Sequence, residues 1–219
     1  MVNKPKVFIA QRDCSVSTMF REAGWSIVSL IEEADLIQFT GGADINPALY
    51  GQEKHNTTHY NPERDILEKA IYNKGLELGK AFAGICRGGQ FLNVMNGGTL
   101  YQNVDNHRRP HTIVCITKDP NNRLAIDATS THHQMMRPTK DAKILAFALE
   151  SSQRISMIEG TEITELRQAG SPDYEVLFYP KTKSLCFQPH PEHLATASKE
   201  LKDYYFQLIK EELGICVES

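Results

Sequence analysis

Cys86 lies in the segment Gly84-Ile85-Cys86-Arg87-Gly88, directly after the continuous apolar run Ala81–Ile85 and before a stretch with helical character. A thiol at a strand-to-helix turn meets the helix dipole and the free amides of the first turn, and both favour the thiolate. Glycines two residues before and two after it let the chain turn tightly without Cβ clashes. This is the thiol form of a strand-turn-helix nucleophile elbow. The backbone N–H of Arg87 points into the same space, where it can donate to a developing oxyanion. Taken alone, the segment also describes a buried structural cysteine beside a packing contact. Cys14, Cys115, Cys186 and Cys216 lack the setting.

A thiolate nucleophile needs a base or ion-pair partner held by a third group. Gln188-Pro189-His190-Pro191-Glu192 follows a strand-like run, and residues two apart in extended chain face the same way. His190 and Glu192 can therefore meet side by side, stiffened by two prolines. A carboxylate beside an imidazole fixes its tautomer and stabilises the imidazolium. A surface His-Glu pair is the plainer reading of that segment alone. The convergence of the two motifs decides against it, because chemistry in open α/β sheets gathers at the carboxyl ends of strands.

These residues need a scaffold, and the chain has the length for one large core at 219 residues; one domain is the simplest count. Lys6–Ala10, Trp25–Leu30, Leu36–Thr40 and Ala81–Ile85 read as strands. Ser15–Ala23, a segment from Pro62 to about Leu78, and roughly Gln90–Met95 read as helices. In the second helix Ile66, Leu67, Ala70, Ile71 and Leu78 are expected to form the apolar face. Strand candidates at Thr112–Thr117, Ile144–Leu149, Arg154–Ile158, Glu175–Tyr179 and Ser184–Gln188 follow. A last helix is expected over about Leu194–Leu213, packing Leu194, Leu201, Tyr205, Leu208 and Ile209 inward. Strand-helix alternation implies right-handed βαβ units, so the expected fold is α/β with a mostly parallel sheet and an antiparallel addition.

Composition excludes little but points away from some classes. The net charge of −3 is spread along the chain, giving no electrostatic footprint for nucleic acid or a membrane surface. The charged start lacks a secretory apolar stretch, and the apolar runs are too short to span a bilayer. Five scattered cysteines form no disulfide or metal framework, so a reducing compartment, by default the cytoplasm, is expected. His55, His59 and His132-His133 have no cysteine or carboxylate cluster at ligand spacing; neither a metal nor a cofactor is called for. Asn106–His111, with His107, Arg108, Arg109 and His111, reads either as a solvated loop or as a basic rim for an anionic substrate or a partner.

The order Cys86, His190, Glu192 resembles the class I, triad-type glutamine amidotransferases. Thr40-Gly41-Gly42-Ala43-Asp44-Ile45-Asn46-Pro47-Ala48-Leu49-Tyr50-Gly51 resembles the loop of their γ-glutamyl-γ-aminobutyrate hydrolase branch, the C26 peptidases. Arg64-Asp65 with Glu68, Gly84–Gln90, Asn93-Val94 and Gly97-Gly98-Thr99-Leu100 continue the likeness, which runs from about Thr40 to Glu192. The resemblance implies a flavodoxin-like three-layer sandwich, hydrolysis of a γ-glutamyl amide through a thioester, and an oxyanion hole from the Gly42 and Arg87 amides. It also implies that Gln90 helps to bind the glutamyl group, as does the segment Thr129-Ser130-Thr131-His132-His133-Gln134 through Ser130, Thr131 and His132. Thr129 stands where the family pattern has Asn, so a side-chain contact from that position does not carry over.

Three functions fit. In the first, a glutaminase passes ammonia to a separate synthetase or ligase. In the second, a free-standing hydrolase cleaves a γ-glutamyl conjugate of a small amine. The third is a non-catalytic binding relative, against which an intact Cys86, His190 and Glu192 argue.

Overall fold

A computed structural model describes residues 4–117, 124–168, 170–193 and 195–217. Strands β1 (Lys6–Ile9), β2 (Ser26–Val28), β3 (Leu36–Phe39) and β4 (Ala81–Ile85) are separated by helices α1 (Cys14–Glu22) and α2 (Pro62–Glu77). Helix α3 (Arg87–Met95) follows β4 after a single residue. Ten strands come next: β5 (Thr99–Tyr101), β6 (Asn103–Val104), β7 (His111–Cys115), β8 (Leu124–Ala128), β9 (Met135–Arg137), β10 (Lys143–Ala148), β11 (Gln153–Ile158), β12 (Thr161–Leu166), β13 (Asp173–Tyr179) and β14 (Ser184–Phe187). Helix α4 (Lys199–Leu213) closes the fold.

The main sheet has the order β2-β1-β3-β4-β14-β13-β10-β7-β8. Its first five strands are parallel and the other pairings are antiparallel. The parallel half has the flavodoxin-like order, with β14 in fifth place. Its central strands β3, β4 and β14 are buried at every position and mostly apolar because both faces are covered. Leu36, Ala83 and Ile85 pack with Phe20 of α1 and Tyr205 and Leu208 of α4. Ile37, Phe39 and Phe82 pack on the other face with Tyr72 of α2 and Phe91 of α3. The fold class read from the sequence is therefore the observed one. Two smaller sheets, β12-β11-β6 and β5-β9, lie outside this frame.

Local signals set the helix starts. The Asp13 side chain accepts from Val16 N–H, and Asn61 accepts from Glu63 and Arg64 N–H ahead of Pro62. The last helix begins at Lys199, later than expected, because Ser198 caps it by accepting from Leu201 N–H at 3.1 Å. Its buried face is Leu201, Tyr204, Tyr205, Leu208 and Ile209; Leu194 lies outside the described residues.

Helix α2 corrects a sequence expectation. Ile66 is 72 % and Leu67 50 % exposed, and the buried positions are Asp65, Glu68, Ile71, Tyr72 and Gly75. The helix turns two carboxylates inward, since buried arginines wait for them. Gly75 gives the close approach to the sheet; a Cβ there would lie 2.6 Å from Ile37 Cδ1 and from the Phe82 ring. Strands β5, β6, β8, β9 and β12 are absent from the sequence reading. Most are too short to show a period, and β12 alternates with few apolar residues. Among the described residues no helix is long and apolar enough to cross a membrane.

Candidate active site

The register of two neighbouring parallel strands assembles the site. Ile85 of β4 is opposite Phe187 of β14, so Cys86 and the Gln188–Glu192 segment leave the same sheet edge together. The Cys86 N–H donates to Phe187 O at 2.8 Å. Cys86 occupies the N-cap position of α3 with φ 51° and ψ −112°. Such a conformation costs a residue with a Cβ about 1–3 kcal/mol and marks a position that the surroundings over-determine. The surroundings here are glycines. A Cβ on Gly84 would lie 2.2 Å from Gly88 O, and one on Gly88 would lie 2.5 Å from Phe39 O. The turn brings α3 close against β3 and β4 and places Cys86 at the head of the helix, whose first amides have no partner within it.

His190 and Glu192 meet as their spacing predicts, with Nδ1 2.7 Å from Oε1. The His190 backbone is pinned at both ends: its N–H donates to Thr129 O at 3.1 Å and its carbonyl accepts from Thr129 Oγ1 at 2.7 Å. The Thr129 side chain thus holds the backbone of His190 in place. Thr131 Oγ1 is 3.0 Å from His190 Nε2. Burial by itself lowers the His190 pKa, yet hydrogen bonding to Cys86 and Glu192 outweighs it and lifts the pKa to about 10. His193, which the sequence reading passed over, stacks on His190 with centroids 4.3 Å apart and an interplanar angle of 11°.

The other thiols are poorly placed for chemistry. Burial pushes Cys115 up to about 11 and Cys186 higher still, while Cys14 and Cys216 are exposed and remote in sequence from the turn.

Gly41 lies over Cys86 and His190, and Gly42 against Arg64. A Cβ on Gly41 would be 3.2 Å from His190 Cε1 and 3.8 Å from Cys86 Cβ. Gly42 has φ 140°, and its Cβ would lie 2.2 Å from Arg64 Nη1. Arg64 holds this loop by donating to Gly41 O and Thr40 O, both at 2.9 Å, and to Glu68 Oε1 at 2.9 Å. The Arg87 guanidinium turns away from the thiol, into ion pairs with Asp65 and Glu68. Burial, reinforced by Arg64, lowers Arg87 to about 10 against the pull of Asp65. Asp65 also accepts from Asn46 N–H at 3.0 Å. One buried network therefore joins the glycine loop, α2 and the turn carrying the thiol. Its sequence signal was the Arg64-Asp65 pair with Glu68, whose burial no periodicity indicated.

Of the residues expected to contact the glutamyl group, Gln90, Ser130 and His132 are buried, whereas Thr131 is exposed. Gln90 Nε2 donates to Gln134 O and Gln188 Oε1, each at 3.1 Å. Ser130 Oγ donates to His107 O. The His132 ring has Nδ1 2.8 Å from Gln134 O and Nε2 3.7 Å from Glu175 Oε1. The basic stretch at 106–111 is neither wholly solvated nor wholly a rim. Arg108 and Arg109 are exposed, but His107 and His111 are buried against Glu175.

The chain has relatives among known proteins. A γ-glutamyl-γ-aminobutyrate hydrolase of Escherichia coli O157:H7 is 38 % identical over 74 residues, covering 33 % of this chain and 29 % of that protein. A glutamine amidotransferase-like protein of Lactococcus lactis subsp. lactis is 45 % identical over 82 residues, covering 36 % of this chain and 34 % of that protein. The matched stretches span only 26 % to 52 % of the first curated relatives' own lengths. Among solved structures, a glutamine amidotransferase from Thermotoga maritima superposes with a TM-score of 0.56 at 16 % identity, covering 97 % of this chain and 85 % of that one. The CTPS glutaminase domain of Trypanosoma brucei gives 0.52 at 11 %, covering 88 % and 87 %. Those identities show a shared fold. Residues 13–169, well over half of the chain, match the family model described as Peptidase C26, and the chain belongs to that family.

Proposed function

We propose that the protein is a cysteine hydrolase of γ-glutamyl amides, with Cys86 as nucleophile, His190 as base and acid, and Glu192 as its orienter. The observation that carries this reading is the strained Cys86 at the head of α3, one strand away from the 2.7 Å His190–Glu192 pair. The thiolate adds to the γ-carbonyl carbon, and the resulting oxyanion takes hydrogen bonds from the Gly42 and Arg87 amides. His190, protonated, donates to the leaving nitrogen as the C–N bond breaks, leaving a γ-glutamyl thioester on Cys86. Water then loses a proton to His190, attacks the thioester carbon, and expels the Cys86 sulfur as glutamate departs. Gln90, Ser130, Thr131 and His132 shape the glutamyl pocket in this scheme, and no step requires a metal or a cofactor.

The hydrolase named among the relatives favours a small γ-glutamyl amine as substrate. The amidotransferase-like relatives favour glutamine, with ammonia handed to a separate synthetase. Purified protein assayed alone against glutamine and a panel of γ-glutamyl amines separates the two. Turnover of one conjugate with negligible glutaminase activity selects the first. Glutaminase activity that appears only with an added partner selects the second. Release of glutamate by Cys86→Ala at the wild-type rate would remove both.

A further inference from the structure

A second group of buried side chains gathers residues far apart in the chain. His107 follows β6, His111 opens β7, His132 lies in the segment before β9, and Glu175 belongs to β13. Their exposures are 0, 7, 4 and 0 %. One nitrogen or oxygen from each lies within 4.8 Å of all the others. Glu175 Oε1 is 3.3 Å from His107 Nδ1, 3.1 Å from His111 Nε2 and 3.7 Å from His132 Nε2.

The outward nitrogen of each ring faces an oxygen. His111 Nδ1 is 3.2 Å from Arg109 O, His132 Nδ1 is 2.8 Å from Gln134 O, and His107 Nε2 is 3.2 Å from Asp173 Oδ2. A carbonyl only accepts, so His111 and His132 must donate from Nδ1, and as neutral rings they present bare Nε2 lone pairs inward. His107 does the same from Nδ1 when its proton faces Asp173. Three lone pairs then converge on one carboxylate oxygen, an arrangement that needs positive charge at its centre, from shared protons or from a metal ion. Both His107 nitrogens, His132 Nε2 and Glu175 Oε2 have no partner in hydrogen-bonding geometry, and His111 Nε2 has only Glu175 Oε1, at 3.1 Å. Arg154 is committed to Asp173 at 2.7 Å.

The three separations from Glu175 fit edges of a metal polyhedron. Four ligands about 2.0–2.1 Å from zinc stand roughly 3.3–3.4 Å apart at tetrahedral angles, and the three Glu175 separations of 3.1, 3.3 and 3.7 Å bracket that edge. An outer carbonyl or carboxylate on the second nitrogen is also how metal-bound imidazoles are held. We propose that His107 Nδ1, His111 Nε2, His132 Nε2 and Glu175 Oε1 bind one zinc-class divalent cation in a closed site distinct from Cys86, His190 and Glu192. Imidazole nitrogens with a single carboxylate suit such an ion, and four protein ligands leave no open position. The role is structural. The ion would tie His107 and His111 to β13 and to the segment whose Thr129 and Thr131 hold His190.

The test uses the full chain with Cys86→Ala, which removes the one thiolate that would compete for metal near His190 and His193. Elemental analysis after dialysis, or after refolding with zinc alone, is expected to find one equivalent per chain. Added zinc should raise the melting midpoint of metal-free protein in step with the logarithm of its free concentration. Cobalt(II) in its place should give the visible bands of a four-coordinate nitrogen-oxygen site. Superimposing His111→Ala, or the gentler Glu175→Gln, should abolish stoichiometric binding. Absence of bound metal under every loading condition would make the cluster a proton-sharing network and overturn the site. Binding that survives both substitutions would overturn it equally, by placing the metal elsewhere.

Discussion

The Cys86 N–H and the Phe187 carbonyl are joined by a 2.8 Å hydrogen bond across two parallel strands, and this bond sets where the thiol stands relative to the imidazole three residues beyond Phe187. Cys86 and the segment carrying His190 thus leave one sheet edge together.

That placement requires a backbone that a side chain disfavours. Cys86→Gly removes the Cβ at φ 51°, so this variant should be more stable than Cys86→Ala by about 1 kcal/mol in denaturant titration. Both should be inactive. An alanine variant as stable as the glycine variant would mean that the turn stores no strain.

Gly42 has a different reason to be glycine. Its Cβ would strike the Arg64 guanidinium that fastens the loop, so Gly42→Ala should lower kcat by about 100-fold, the scale of losing one oxyanion donor. Gly51→Ala is the control: φ is also positive, at 70°, but the space around it is open. It should cost stability with little change in kcat. Equal losses at both positions would trace the effect to the general strain of a positive φ.

The pH dependence follows from His190. Its pKa is raised from 6.5 to about 10, so the imidazolium to which the proposed mechanism assigns protonation of the leaving amine persists through neutral pH and is lost as pH rises through about 10. The same sign holds for stability: the contribution is complete below about 6.5 and fades toward 10. The alkaline limb of kcat/KM should lie near the upper value in wild type and move down in Glu192→Gln. An unmoved limb would show that Glu192 does not support the charge on His190.

Arg87 is 1 % exposed and is held by Asp65 and Glu68. Glu68→Gln leaves buried cationic charge under-compensated and should destabilise the fold by about 3 kcal/mol. Glu63→Gln, on the exposed side of the same helix, should be close to neutral. Thermal or denaturant unfolding of the two variants decides whether the network matters to the scaffold.

Much of this molecule was legible along the chain. The Gly84–Gly88 turn, the His-x-Glu spacing and the alternation of apolar runs with capped helices are local features, and local sterics and capping determined them. The parallel half of the sheet followed from that alternation. The inward face of α2 was not legible, because hydrophobic periodicity favoured Ile66 and Leu67. Only the tertiary fold brings Arg64 and Arg87 together, and pairing buried charge outweighs burying two aliphatic side chains there. The same holds for His107, His111, His132 and Glu175, which no spacing relates. The sequence by itself determined the turn that carries Cys86, the spacing that pairs His190 with Glu192 and the order of the elements. The tertiary structure decided which polar groups share the interior, because a desolvated charge is satisfied only by whatever the packed chain places beside it.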